Sequence, residues 1–319
     1  MLDLRFVAWT LWGSLMVLGA GATSGQDFPS KPIRIYTVTA GGVNDLIARQ
    51  VGSGVTDYAG WTVVVDNRPT SPIAADIVAK APPDGYSLLV STDNLWIGPF
   101  LQKVPYDPVR DFLPITIATQ APNILVVHPS LPVKTVKELI SLAKAKPGQL
   151  NYGAGAVGAS NHLAAELFKV MAGVDILFVP YKSGGLAIIS LVGGDIQVMF
   201  GSASTMSPHM KTRRVRGVAV SSAEPSVLFP GVPTVAAALP GYETSSKVGI
   251  FAPAKTPVVV INRLNREIVQ VLNQPNIKER LLSMGVEVIG STPEGFAATI
   301  KSEIGRWGKV IKDAGIRAE

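Results

Sequence analysis

Cysteine is missing from all 319 residues. Its absence excludes disulfides, a thiolate metal site and a cysteine nucleophile. Histidine is scarce as well: His128, His162 and His209 are scattered, with none in a paired ligand spacing, which argues against a structural or catalytic zinc ion. No cofactor is expected. The chain has no repeat of solenoid period. It also lacks the G-x-S-x-G elbow of a serine hydrolase, since Gly158-Ala159-Ser160 has no glycine in the required place and no order of acid, base and serine suggests a triad. Concentrated positive charge is a further absence. The net charge is +6 and the sequence pI about 9.4, but the cations are dispersed. One local cluster, Lys211, Arg213, Arg214 and Arg216, has no aromatic residues interleaved to stack on bases, so it reads as solvated surface and no nucleic-acid partner is expected. A diffuse positive field still favours encounter with anionic solutes.

The amino terminus has the pattern of an export signal. Met1 to Arg5 holds one cation, Phe6 to Gly19 is apolar and uncharged, and Ala20-Gly21-Ala22 has the small-x-small pattern of a cleavage site. The apolar run is too short to span a bilayer comfortably. Residues 1–22 are therefore expected to be a signal peptide cut before Thr23. With no cysteine after the run there is no lipid anchor, and the product is expected to be soluble in a bacterial periplasm. An uncleaved anchor is the competing reading, but Asp3 weakens the positive flank that anchor and signal would both want. The remaining chain, about 295 residues, exceeds one ordinary core and suggests two domains.

Periodicity gives an alternating α/β order. Ile33 to Val38 reads as a strand ending at Ala40-Gly41-Gly42, Asp45 to Val55 as a helix, Trp61 to Asp66 as a strand, Ile73 to Ala81 as a helix, and Tyr86 to Ser91 as a strand after the turn Pro83-Asp84-Gly85. Ile124 to Val127 reads as a strand and Thr135 to Ala145 as a helix. A second array follows: Asn151-Tyr152, the glycine-rich Gly153 to Gly158, a helix over Ser160 to Met171, strands at Ile176 to Val179 and Ile196 to Phe200 around a helix from Leu186 to Val192, and a strand at Val215 to Val220. Val248 to Ala252 is a last strand before three helical segments, which could pack on either sheet. These βαβ units imply mostly parallel sheets with a cleft at the strands' carboxyl ends.

Short segments in a shared order carry a resemblance: Lys31-Pro32-Ile33-Arg34-Ile35, Gly41-Gly42-Val43-Asn44-Asp45, Asp66-Asn67-Arg68-Pro69, Pro83-Asp84-Gly85-Tyr86, Tyr106-Asp107-Pro108, Lys144-Ala145-Lys146-Pro147-Gly148, His162-Leu163-Ala164, Val179-Pro180-Tyr181-Lys182, Val232-Pro233-Thr234 and Ala252-Pro253. From about residue 28 to its end the chain resembles a Bug-type (TctC-like) receptor of the tripartite tricarboxylate transporters. The resemblance implies an α/β, two-lobed, type II periplasmic binding (Venus-flytrap) fold, with residues 28–124 and 247–319 as lobe 1 and 125–246 as lobe 2. It also implies a monomeric solute-binding protein, not an enzyme, that captures a small carboxylate and delivers it to large and small membrane subunits. A receptor feeding a signalling partner and a periplasmic serine hydrolase are the alternatives.

A carboxylate is well stabilised by N–H groups at helix amino termini. Two such termini are expected at the cleft, in the turns Thr39 to Asn44 and Gly155 to Asn161. The expected ligand-binding set is Thr37, Val38, Thr39, Gly41, Gly42, Asp45, Thr92, Asn94, Gly155, Ala156, Gly158, Ser160, His162, Tyr181, Ser202 and Ser204. Asp45 reads equally as a solute contact or as an acid stabilising its helix's first turn. His162 could bond the carboxylate or cap backbone groups. The hydroxyls at Ser202 and Ser204 also suit ordinary turn chemistry. Gly153 to Gly158 is a literal G-x-G-x-x-G. The short strand before it and the placement of Asp175 ahead of the next strand argue against a dinucleotide. Departures from the family pattern fall near the expected pocket: Thr37-Val38-Thr39-Ala40 stands for Pro-Phe-x-Pro, and a common tryptophan near the second crossing is replaced around Lys247-Val248-Gly249.

Overall fold

A computed structural model of the chain describes residues 28–313 apart from Ala156, together with Gly315 and Ile316; the segment read as a signal peptide lies outside them. β1 (Ile33–Val38) buries Ile33, Ile35 and Thr37 on one face and turns Arg34 outward to Asp66, as its alternation requires. α1 (Val43–Ala59) ends at Gly60, whose left-handed backbone lets its N–H bond the Thr56 carbonyl. β2 (Val63–Arg68), α2 (Ser71–Ala79) and β3 (Ser87–Thr92) follow, and β1 lies parallel to both neighbours. The turn into β3 needs its glycine. Gly85 has φ +84, and a Cβ there would sit 2.4 Å from Val260 Cγ1.

A short α3 (Asn94–Ile97) leads to β4 (Phe112–Val127), a strand of 16 residues that runs through both lobes. α4 (Val136–Ala145) starts at a capping box in which Thr135 and Glu138 each satisfy the other's backbone N–H. The second lobe then builds β5 (Asn151–Ala154), α5 (Ser160–Ala172), β6 (Leu177–Pro180), α6 (Gly184–Gly193), β7 (Val198–Ser202), α7 (Ala203–Lys211) and β8 (Arg216–Val220). β9 (Ser245–Pro253) returns the chain to the first sheet, followed by α8 (Val258–Leu272), α9 (Pro275–Ser283), β10 (Glu287–Val288) and α10 (Pro293–Asp313).

The strand order is β2-β1-β3-β9-β4-β7-β5-β6, with β8 and β10 also paired to β4. The parallel pairs come from the βαβ units, and the antiparallel ones from the strands that carry the chain between lobes. The passage is fixed by one serine. Ser221 accepts from Asn123 N–H at 2.8 Å through Oγ and donates that hydroxyl to the Thr244 carbonyl at 2.6 Å, while its backbone bonds Asn123 and Thr244 at 2.8 Å each.

The structure extends the expected strand at Ile124 back to Phe112. Pro114 and Pro122 disguise that stretch in the sequence, since proline cannot donate to a ladder; register shifts near Pro114 and Ile117 accommodate the pairing with β9. The three carboxy-terminal helices divide their packing. α8 buries Ile261, Leu264 and Ile268 against Ile47, Val51 and Val55 of α1, on the first sheet. α10 reaches both lobes: Phe296, Trp307 and Val310 share one core with Leu95 and Trp96 of the first lobe and Leu163, Leu167 and Phe168 of α5.

Candidate functional site

A cavity of about 400 Å³ lies between the lobes, where the carboxyl end of β3 faces the start of α5. Thr92, Asp93, Asn94, Ile97, Leu101 and Gln102 line it from one side, Val157 to Ser160 and Leu163 from the other, and Ser246 from β9. Four of the residues expected from sequence, Thr92, Asn94, Gly158 and Ser160, come together here. Ala156 lies outside the described residues.

The α5 wall is shaped by two glycines and a histidine. Gly158 has φ +82, and a Cβ on it would stand 2.6 Å from Leu101 Cδ1 of the opposite lobe, so only glycine lets the walls approach. Gly155 passes less tightly by α6, where a Cβ would be 3.3 Å from Gly184 N. The residue capping α5 is Ala159, which brings no side chain to the first-turn N–H groups; Asn161 Oδ1 accepts from His162 N–H at 2.9 Å, and the N–H groups of Ser160 and Asn161 remain as donors at the cavity edge. His162 is buried; its Nδ1 accepts from Gly158 N–H at 3.3 Å and its ring packs 4.6 Å from that of Phe178. Burial lowers its pKa, and Lys169 adds to this against the pull of Glu166, so the neutral ring braces the turn from behind.

The remaining expected residues occupy other turns and do not line this cavity. Thr37 is buried, with Oγ1 donating to the Val90 carbonyl; Val38 is half-buried, and Thr39, Gly41 and Gly42 are exposed at the uncapped start of α1. Asp45 accepts from Gly41 N–H at 3.0 Å, Asn67 at 2.8 Å and Arg49 at 2.9 Å. Burial raises its pKa, but the bonds from Arg49, Gly41 and Asn67 prevail and hold it below the usual carboxylate value. These partners all belong to its own lobe and brace the turn. Beside it the side-chain oxygen of buried Asn44 has no protein partner, a feature no periodicity could reveal. Tyr181 packs into the second lobe's core. Ser202 bonds Ser204 and Thr205 at the start of α7, the local turn chemistry that was the alternative to a solute contact; Gly285 of the first lobe stands over that start, with a Cβ position 3.2 Å from Ser204 N.

Behind Asp93 lies a cluster of buried charges that sequence reasoning did not find. Lys247 is 4% exposed and donates to Glu303 Oε1 at 2.6 Å and Ser245 Oγ at 2.9 Å. Glu303 Oε2 accepts from Trp96 Nε1 at 2.7 Å. Asp93 N–H bonds the Lys247 carbonyl at 2.9 Å, which ties the cleft wall to β9. The residue as a whole is half-buried, and burial of its carboxyl, with Glu303 nearby, pushes the pKa up to about 7 despite Lys247.

Two α/β lobes, joined by crossing strands over a cleft at the strands' carboxyl ends, define a type II periplasmic binding fold. The chain belongs to the tripartite tricarboxylate transporter receptor family, whose model matches residues 47–316. It is 31% identical to the protein BugT of Bordetella pertussis over 305 residues, which cover 93% of this chain and 94% of that one. A solved R. palustris protein, described with adipate, is 35% identical with a TM-score of 0.71, over 91% of this chain and 99% of that chain. MatC from Rhodopseudomonas palustris, described with bound malate, is 26% identical with a TM-score of 0.66, over 89% of this chain and all of the other. Members of this family are solute-binding receptors, and no described helix is long and apolar enough to cross a membrane.

Proposed function

We propose that the protein captures a small carboxylate-bearing solute in the periplasm and delivers it to the large and small membrane subunits of a tripartite transporter, acting as a monomer without catalysis. The observation that carries this reading is the cavity of about 400 Å³ with the uncapped start of α5 on one wall. N–H groups there bind an anion without a lysine or arginine in contact. Relatives described with adipate and malate support the ligand class. Lobes of residues 28–124 with 247–319, and 125–246, would close about the crossing held by Ser221, expelling water and marking the protein as loaded.

In this mechanism the solute's carboxylate meets the first turn of α5, while Thr92, Asn94 and Ser160 offer hydroxyl and amide groups to the rest of it. The exposed turn at Gly41 and Gly42 and the hydroxyls of Ser202 and Ser204 would join as the lobes close. The test is titration calorimetry of the wild type and Ser160→Asp against a panel of small carboxylates. An added negative charge at the anion's site is expected to weaken the best-bound acid by at least about tenfold. Unchanged affinity would remove α5 from the site.

A further inference from the structure

We propose that Asp93 decides which carboxylate the cleft accepts, by receiving the ammonium of an amino-carboxylate solute whose carboxylate meets the start of α5 on the facing wall. This rests on the carboxylate capture proposed above and adds the second group of the solute.

Among the described residues lining the cavity, Asp93 is the only ionisable side chain. A carboxyl in a carboxylate receptor needs a counter-charge, and the protein supplies no cation dedicated to it: the backbone N–H groups of Lys247 and Asn94 and the shared Lys247 ammonium are what favour its ionised form. The one cation that acts on Asp93, Lys247 on β9, is committed to Glu303 and Ser245, with Glu243 at 3.8 Å. From α10, Glu303 adds a second negative charge, and Arg306 beyond it lies 3.6 Å from Glu303 and 3.9 Å from Glu243. The two cations are thus shared among three carboxylates, Asp93, Glu303 and Glu243, and one negative charge is left over at the cleft wall. A second solute carboxylate here would meet two acids and no free cation. A solute ammonium would meet the surplus charge and form a charge-assisted hydrogen bond in a partly desolvated site.

The arrangement gives a direction to the pH dependence. Asp93 is held near half ionisation at neutral pH by burial and Glu303. An ammonium is recognised by its ionised form, so affinity rises as pH passes upward through about 7. A dicarboxylate would need Asp93 protonated, and its affinity would fall over the same interval.

The experiment is titration calorimetry of the full protein at pH 6 and pH 8 with three matched probes: 5-aminopentanoate, pentanoate and glutarate, extended to α-amino acids and their nitrogen-free counterparts. The result expected is selective binding of nitrogen-bearing acids, tightening about tenfold between the two pH values. Asp93→Asn is expected to lose both the preference and the pH dependence, with its melting temperature confirming the fold. Nitrogen-free acids that bind as tightly, affinity that falls with pH, or an Asp93→Asn variant that keeps the preference would each overturn the assignment and leave carboxylate capture standing. No binding by any carboxylate, with or without nitrogen, would overturn both.

Discussion

Glu303 holds three partners at once: Lys247, the indole N–H of Trp96, and Arg306 at longer range. Glu303→Ala would leave the Lys247 ammonium buried without its main counter-charge, and a loss of about 3–5 kcal/mol is expected in denaturant unfolding. Glu303→Gln retains acceptors and should lose less. Asp93 has the opposite sign. Its folded pKa of about 7 stands above the ordinary 3.8, so an ionisation penalty is absent below that lower value and grows until pH passes about 7. Asp93→Asn should therefore be more stable than wild type at pH 8, and the gap should shrink by about 1–2 kcal/mol on lowering the pH to 5, a figure reduced for the water that the cleft admits. His162 works the other way: its lowered pKa makes the fold lose stability as pH falls through its ordinary 6.5, in both proteins alike. Melting temperatures of the two proteins compared across pH isolate Asp93. None of this was legible beforehand, because Asp93, Lys247 and Glu303 are far apart in sequence and meet only when β9 and α10 close behind β3.

At the scale of elements, the βαβ units were legible because apolar strand runs alternate with helical apolar spacing, with glycine turns marking the passage after β1 and β5; α1, α2, α4, α5 and α6 lie close to where periodicity puts them. The first half of β4 was not, since Pro114 and Pro122 interrupt its pattern and only pairing with β9 fixes it. The site was legible where chemistry is local. Gly158 and Ser160 mark a glycine-rich turn before a helix, and they do reach the cavity, whereas the turns at Gly41 and Ser202 carry the same signal and lie outside it. Gly158→Ala tests the close approach of α5 to the opposite lobe. The left-handed backbone and the contact with Leu101 predict a loss of roughly 1–3 kcal/mol, part of which Leu101→Ala should restore in the double variant, as chemical denaturation would show. At the crossing, Ser221→Ala leaves Asn123 N–H without its acceptor, and about 1–3 kcal/mol of stability should be lost.

At the scale of the molecule, the two lobes touch, besides the crossing strands, at Leu101 against Gly158, at Gly285 over the start of α7, and at Glu287 bonded to Ser226. α10 ties both lobes to one core. A solute that completes the proposed site would therefore bridge both lobes and stabilise the whole fold. The central claim is that this cleft binds a small carboxylate, and a thermal-shift series against dicarboxylates, amino-carboxylates, aromatic acids, sugars and nucleotides tests it most directly. A ligand present at a hundred times its dissociation constant adds about 2.7 kcal/mol to the native state. One carboxylate class is predicted to raise the melting temperature, with the shift lost in Ser160→Asp; silence from every acid alongside a response to a sugar or nucleotide would contradict the claim.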